Sequence, residues 1–187
     1  MEMDKFSITK NGKPLDESKY TIDLGEKVFT SEKDYLILDF TGFNGWTFKT
    51  GYGCTFKTGW SCTFRTGAGC TFKTANSCIF KTGSQCTFLT GSDCTFKTGD
   101  YCTFDTDSNC TFTTGINCTF DTYIQCTFKT GSRCTFKTGE SCTFLIFNID
   151  SCKFKSYDGR SPILDIKDKQ VYKLTKEFIQ LQKIKNE

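Results

Sequence analysis

Cysteine is the residue most able to do chemistry in this chain, and its spacing is regular. Twelve cysteines stand eight residues apart from Cys54 to Cys142, and a thirteenth follows at Cys152. Disulfide scaffolds belong to secreted chains. Against that reading stand the opening MEMDKFSITK, which lacks a charged-then-apolar leader, the odd count and the even spacing. Zinc sites pair close ligands such as Cys-x2-Cys or add histidine; neither occurs, and the sequence has no histidine at all. What remains is a set of structural thiols in a reducing interior, with no metal and no cofactor expected. The glycosylation patterns at Asn109 and Asn117 then carry no meaning.

Other candidate chemistry is sparse. Without histidine the commonest general base is missing. Asp105 and Asp121 share one position sixteen residues apart, which would set two carboxylates about 5 Å apart if the chain returns on itself every sixteen residues, a separation used by retaining glycosidases. Tyr52, Trp60 and Tyr101 could stack on sugars. The pair sits where a sheet face is expected, with no cleft to perturb it. Lys-Thr-Gly recurs without the Ser-x-x-Lys that accompanies it in penicillin-binding enzymes, so its repetition marks framework. No enzyme is expected; a carbohydrate-binding or carbohydrate-active solenoid is the minor alternative.

The elements that position these residues come from one phrase. Thirteen octads run from Trp46 to Ile149 with the consensus C-T-F-K-T-G-x-x. Position one is Cys in twelve and Trp46 in the first; position three is Phe in all; position five is Thr except Ile146; position six is Gly in nine. Alternation puts positions one, three and five on one strand face and positions two and four on the other. Cys and Phe are readily buried and Lys is not, so the first set points inward. Gly and β-branched Thr oppose a helix, and a period of eight drifts around one. Gly at position six is expected to supply the turn's backbone freedom; the turns at Tyr123 and Phe147, which lack it, are expected to differ.

The result is an all-β fold, a parallel β-solenoid. Two octads per coil give sixteen residues and two facing sheets, with small Cys opposite small Thr and Phe filling the centre. Three would give a triangular coil of 24 residues. Packing size favours the two-sided coil. The organisation is a β-rich cap over 1–37, the solenoid over 38–149 and a second cap over 150–187. Counting back by eight sets Leu38 at position one and Phe40 at position three. Asn11-Gly12 signals a hairpin, YTIDLGEKVF adds an alternating run, ILDIKDKQVYKL reads as two short strands, and TKEFIQLQKIKNE leans to a third.

Charge separates the faces. The net charge is +3, far from a strong nucleic-acid footprint. With two octads per coil, one sheet carries Lys49, Arg65, Lys81, Lys97 and Lys129 at position four with no acid, a possible anion-binding face for acidic proteins or phosphate backbones. The other carries Lys57, Lys73, Leu89, Asp105, Asp121 and Lys137. The Thr rows at position two lack the second parallel row that ice binding needs; Thr is simply a good exposed strand residue.

The CTFKTGxx octads, the lead-in LDFTGFNGWTFKTG and the non-repeat tail resemble octapeptide-repeat proteins of phages, giant DNA viruses and bacteria, over roughly residues 35–155. The resemblance implies a parallel β-solenoid and carries no catalytic residues. The stack is more loosely similar to pentapeptide-repeat proteins, whose unit differs. The expectation is a non-enzymatic structural or scaffold protein, virus- or phage-derived, in host cytoplasm or virion. Its expected partner is a protein, or a second copy through caps or sheet faces. Nucleic acid is the alternative, and no membrane span is present in the sequence.

Overall fold

The computed structural model describes residues 6–139, 141–146, 151–156, 170–174 and 181–183. Successive octads alternate between two sheets, and from Thr47 to Ile146 each strand pairs in parallel with the strand sixteen residues on, so the coil is the two-sided one. Phe pairs with Phe and position four with position four throughout, as in Phe80↔Phe96 and Lys81↔Lys97. The sheet holding Thr63–Arg65 and its in-register neighbours is called here the basic sheet. The one holding Thr71–Lys73 and its neighbours is the mixed sheet.

The parallel rungs begin at Val28–Thr30, where Phe29 sits in register with Phe48. They end at Lys153–Ser156, where Phe154 sits over Phe136. Each sheet therefore has eight parallel strands, a stack of about 35 Å at ~4.8 Å per rung. Beyond them lie antiparallel pieces. The Asn11-Gly12 turn joins Ser7–Lys10 to Lys13–Pro14, with both turn residues at positive φ (53° and 74°). Thr21–Asp23 pairs with Val28–Thr30. At the other end Gln170–Leu174 pairs antiparallel with Thr143–Ile146 and with Leu181–Lys183. The strand reading of the tail thus holds for 170–174 and 181–183; ILDIKDK and TKEFIQ fall outside the described residues.

One register expectation is corrected. Leu38 pairs with Phe56 and Asp39 with Lys57, so Leu38 is at position three and Leu36 at position one. Ten residues, not eight, separate Leu36 from Trp46. The extra two lie in the turn after Phe40, where Phe43 packs on Phe40 and Trp46.

The core is two columns of phenyl rings. Within a column, neighbours such as Phe80–Phe96 and Phe88–Phe104 stack with centroids 4.8 Å apart and planes within 2–3°. Between columns the rings meet edge to face, as Phe88 does with Phe96 at 5.1 Å and 76°. Both are preferred geometries for the aromatic quadrupole. Every ring from Phe48 to Phe144 at position three is fully buried. Burial at ~2–3 kcal/mol per ring is the main driving force.

Cysteines flank the rings, 0–1% exposed from Cys54 to Cys142, and all thirteen are free thiols. They also bond weakly. Cys78 Sγ donates toward the carbonyls of Gly59 (3.7 Å) and Asn76 (3.5 Å), and Cys94 Sγ toward those of Ala75 (3.7 Å) and Ser92 (3.4 Å). The same pair of turn carbonyls recurs along the stack, which makes the thiol a donor to the corners as well as filler. Thr at position five also serves its turn, as Thr58, Thr66 and Thr82 donate to the next residue's carbonyl at 3.3–3.4 Å.

The turn expectation is also corrected. The left-handed residue is position eight, not six: Ser61, Gln85, Tyr101 and Arg133 all lie at φ 57–60°. Gly at six is required by space. A Cβ on Gly91, Gly99 or Gly115 would overlap Asn76 Oδ1, Ser84 Oγ or Asp100 Oδ1 of the coil before. Those oxygens accept the backbone N–H groups of Ser92 (3.2 Å), Asp100 (3.0 Å) and Ile116 (2.9 Å). Because position six needs no positive φ, Tyr123 fits there. Its turn keeps Gln125 at φ 60°, and its carbonyl accepts Gly139 N–H at 2.8 Å. Phe147 lies outside the described residues.

Candidate functional site

The interior is filled by rings, thiols and Thr, and the charged side chains stand on the outer faces and corners. On the basic sheet, position four points outward because position three points in. Lys49, Arg65, Lys81 and Lys97 stand in register on four consecutive rungs; Thr113 follows, then Lys129. All are exposed. The file spans about 24 Å at the rung spacing. Among the described residues no carboxylate pairs with Lys49, Arg65, Lys81 or Lys97. Like charges directly opposite on neighbouring strands are destabilising, so the fold tolerates an electrostatic cost there.

The mixed sheet carries its charge differently. Asp39 Oδ2 lies 3.8 Å from Lys57 Nζ, and Asp121 Oδ2 lies 2.8 Å from Lys137 Nζ. The hydroxyl of Thr41 beside Asp39 holds that carboxyl below its ordinary range, helped by the Thr41 N–H and Lys57. Asp105 and Asp121 are in register one rung apart. They lie on an open sheet, and Asp121 is tied to Lys137, so the pair lacks the enclosure a glycosidase needs.

The three aromatics do not converge. Tyr52 and Tyr101 belong to the corner that leaves the basic sheet, three coils apart, and Trp60 to the opposite corner. They are exposed at 48%, 58% and 56%. Sequence reasoning missed a partner for the first. Tyr35 packs edge-on to Tyr52 at 5.0 Å, and its hydroxyl contact raises the Tyr52 phenol above its usual value. Tyr35 was hidden because the solenoid was read as starting at Leu38, which left Tyr35 in the N-terminal cap.

A shallow groove of about 440 Å³ lies in the N-terminal region, lined by Ser18, Lys19, Tyr20, Thr21, Thr30, Ser31, Glu32 and Lys33. Ser31 is buried and donates to the Lys19 carbonyl at 2.8 Å, so that hydroxyl is committed to structure.

The thiols form two files, Cys54-70-86-102-118-134-152 and Cys62-78-94-110-126-142, one member per coil. Neighbours within a file stand one rung apart, ~4.8 Å. The sulfurs of Cys62 and Cys94, and then burial, push the Cys78 thiol far above the ordinary range. Cys110 and Cys134 are pushed up in the same way.

Among the described residues no helix is long and apolar enough to cross a membrane. Comparison of the chain with family models, curated proteins and solved structures finds no match.

Proposed function

We propose that this chain is a non-enzymatic interaction scaffold: a stiff solenoid that presents a file of cations on one flat face to an acidic protein. One observation carries the reading. Lys49, Arg65, Lys81 and Lys97 stand in register with no carboxylate among the described residues to neutralise them, while the opposite sheet pairs Asp39 with Lys57 and Asp121 with Lys137. An interior given over to packing and an open Asp105–Asp121 face support a role without catalysis. The octad phrase supports placing the chain with the octapeptide-repeat solenoids of phages, giant viruses and bacteria, and so in a host cytoplasm or a virion. The buried free thiols suit a reducing compartment.

The test is binding of acidic polypeptide, followed over a salt titration. Wild type binds and weakens as salt rises; Lys81→Glu with Lys97→Glu loses at least tenfold. Lys57→Glu with Lys73→Glu, on the other sheet, binds nearly as wild type. Equal losses from both pairs, or binding indifferent to salt, would sink the reading. A phosphate backbone is the second reading, favoured by the linearity of the file. It requires duplex DNA to bind with a log–log salt slope near −4.5 if all five cations engage phosphates.

A further inference from the structure

The interior thiols offer a second kind of site. Each thiol from Cys62 to Cys134 faces the same two carbonyls, at nineteen and two residues before it, as Cys78, Cys94, Cys110 and Cys126 show. Equal partners mean equal side-chain orientation, so successive sulfurs differ by one rung, ~4.8 Å along the stack. Two metal–thiolate bonds of ~2.3 Å laid end to end span ~4.6 Å. A gap between neighbouring sulfurs therefore suits an ion held linearly by two of them.

We propose that the two thiol files bind soft monovalent d10 ions, the Cu(I) and Ag(I) class, each ion bridging cysteines one coil apart. Thiolates select soft ions of this kind. Zinc asks for four ligands in a tetrahedron, and among the described residues no group of three or more Cys, Asp or Glu converges on one point. A single file supplies two sulfurs per gap and excludes that geometry.

Two further features serve the thiolates. The Cys78 N–H points at Cys94 Sγ at 3.4 Å, a donor ready for a negative sulfur. The hydroxyls of Thr50, Thr114 and Thr122 are buried without a hydrogen-bond partner, and they stand beside Cys54, Cys118 and Cys126. A hydroxyl with an unused proton costs stability when buried; a thiolate beside it accepts that proton's hydrogen bond. When one ion enters a gap, two S–H bonds break, two S–metal bonds form, and two protons pass to solvent. The ion keeps its oxidation state, and the S–M–S unit carries one negative charge.

The probe is Ag(I), added to reduced, folded protein without chloride. Native mass spectrometry is expected to show saturable uptake, and X-ray absorption a shell of two sulfurs, with the far-UV β signal retained. A shell of oxygen or nitrogen, a shell of three or more sulfurs, or uptake only as the β signal collapses would overturn the proposal. Two variants separate neighbouring thiols from thiols in general. Replacing Cys70, Cys78, Cys102, Cys110, Cys134 and Cys142 by Ala leaves seven cysteines with no in-register neighbour. Replacing Cys62, Cys78, Cys94, Cys110, Cys126 and Cys142 leaves the seven of the other file intact. The second variant should retain two-sulfur binding and the first should lose it at least tenfold; equal binding refutes the bridge. The wild-type absorption measurement decides the question even if either variant fails to fold.

Discussion

The two sheets share an interior and differ outside. Phe96 in the basic sheet and Phe88 in the mixed sheet stack on equivalent rings at 4.8 Å. Turn the strands over and the likeness ends. One face has Arg65, Lys81 and Lys97 in succession; the other runs Lys73, Leu89, Asp105, Asp121 and Lys137, with an Asp121–Lys137 ion pair. Fold stability therefore constrains positions one, three and five alike in every coil. Position four carries a difference that packing does not require.

The largest test of that likeness is in the core. Phe96→Ala and Phe88→Ala should each cost about 3–5 kcal/mol, and by equal amounts, in urea unfolding. A gap of more than about 1 kcal/mol between them would break the equivalence of the sheets.

The corners give the next effect. Position six is Gly from Gly51 to Gly131 where the chain leaves the basic sheet, and includes Ala75, Asp107 and Tyr123 where it leaves the mixed sheet. Gly115→Ala should drive Asp100 off the Ile116 N–H and cost about 1–3 kcal/mol. Tyr123→Gly, at the equivalent place in the other corner, should be near neutral in the same assay. At position eight of the first corner, Tyr101→Gly should stabilise by about 1 kcal/mol, because a left-handed residue is relieved; a lower melting temperature would contradict the assignment of strain.

The smallest effects are on the faces. Lys81→Thr removes a cation between Arg65 and Lys97 and should stabilise by about 0.2–1 kcal/mol, with the gain shrinking in high salt. Asp121→Asn on the other sheet removes the ion pair with Lys137 but also relieves Asp105, so melting temperature should barely move. Acid acts in the opposite sense at Asp39, whose folded-state pKa is depressed. Its contribution is present above the unfolded pKa of about 3.9 and fades as pH falls below it. The difference between wild type and Asp39→Asn in thermal melts should therefore shrink from pH 6 to pH 2.5.

Much of this was legible in the sequence, for physical reasons. Burial preferences and alternation fix which way Cys, Phe and Lys point, and the size pattern favours two octads per coil over three, the coil the structure has. The cation file followed at once, since sixteen-residue pairing is arithmetic once the coil is known. Two things were not. Leu36 was misplaced because the turn after Phe40 holds two extra residues, although the ten-residue spacing of Cys142 and Cys152 showed that such turns occur in this chain. The left-handed residue was misassigned because Gly at six drew attention from position eight, where Gly53, Gly69, Asn109 and Asn117 already hinted at it. Gly is used here for close approach between coils, which no local pattern announces. The thiol bonding to turn carbonyls likewise arises only when coils stack.

Successive octads fall on opposite sheets, and this sets how such a chain can change length. Losing one octad would transfer every later position-four residue to the other side of the molecule, splitting the cation file between faces while leaving the ring columns whole. Losing two would shorten the file and keep it straight. Length drift in this architecture should therefore be counted in sixteens, with odd steps filtered out by whatever reads the outside and not by folding itself.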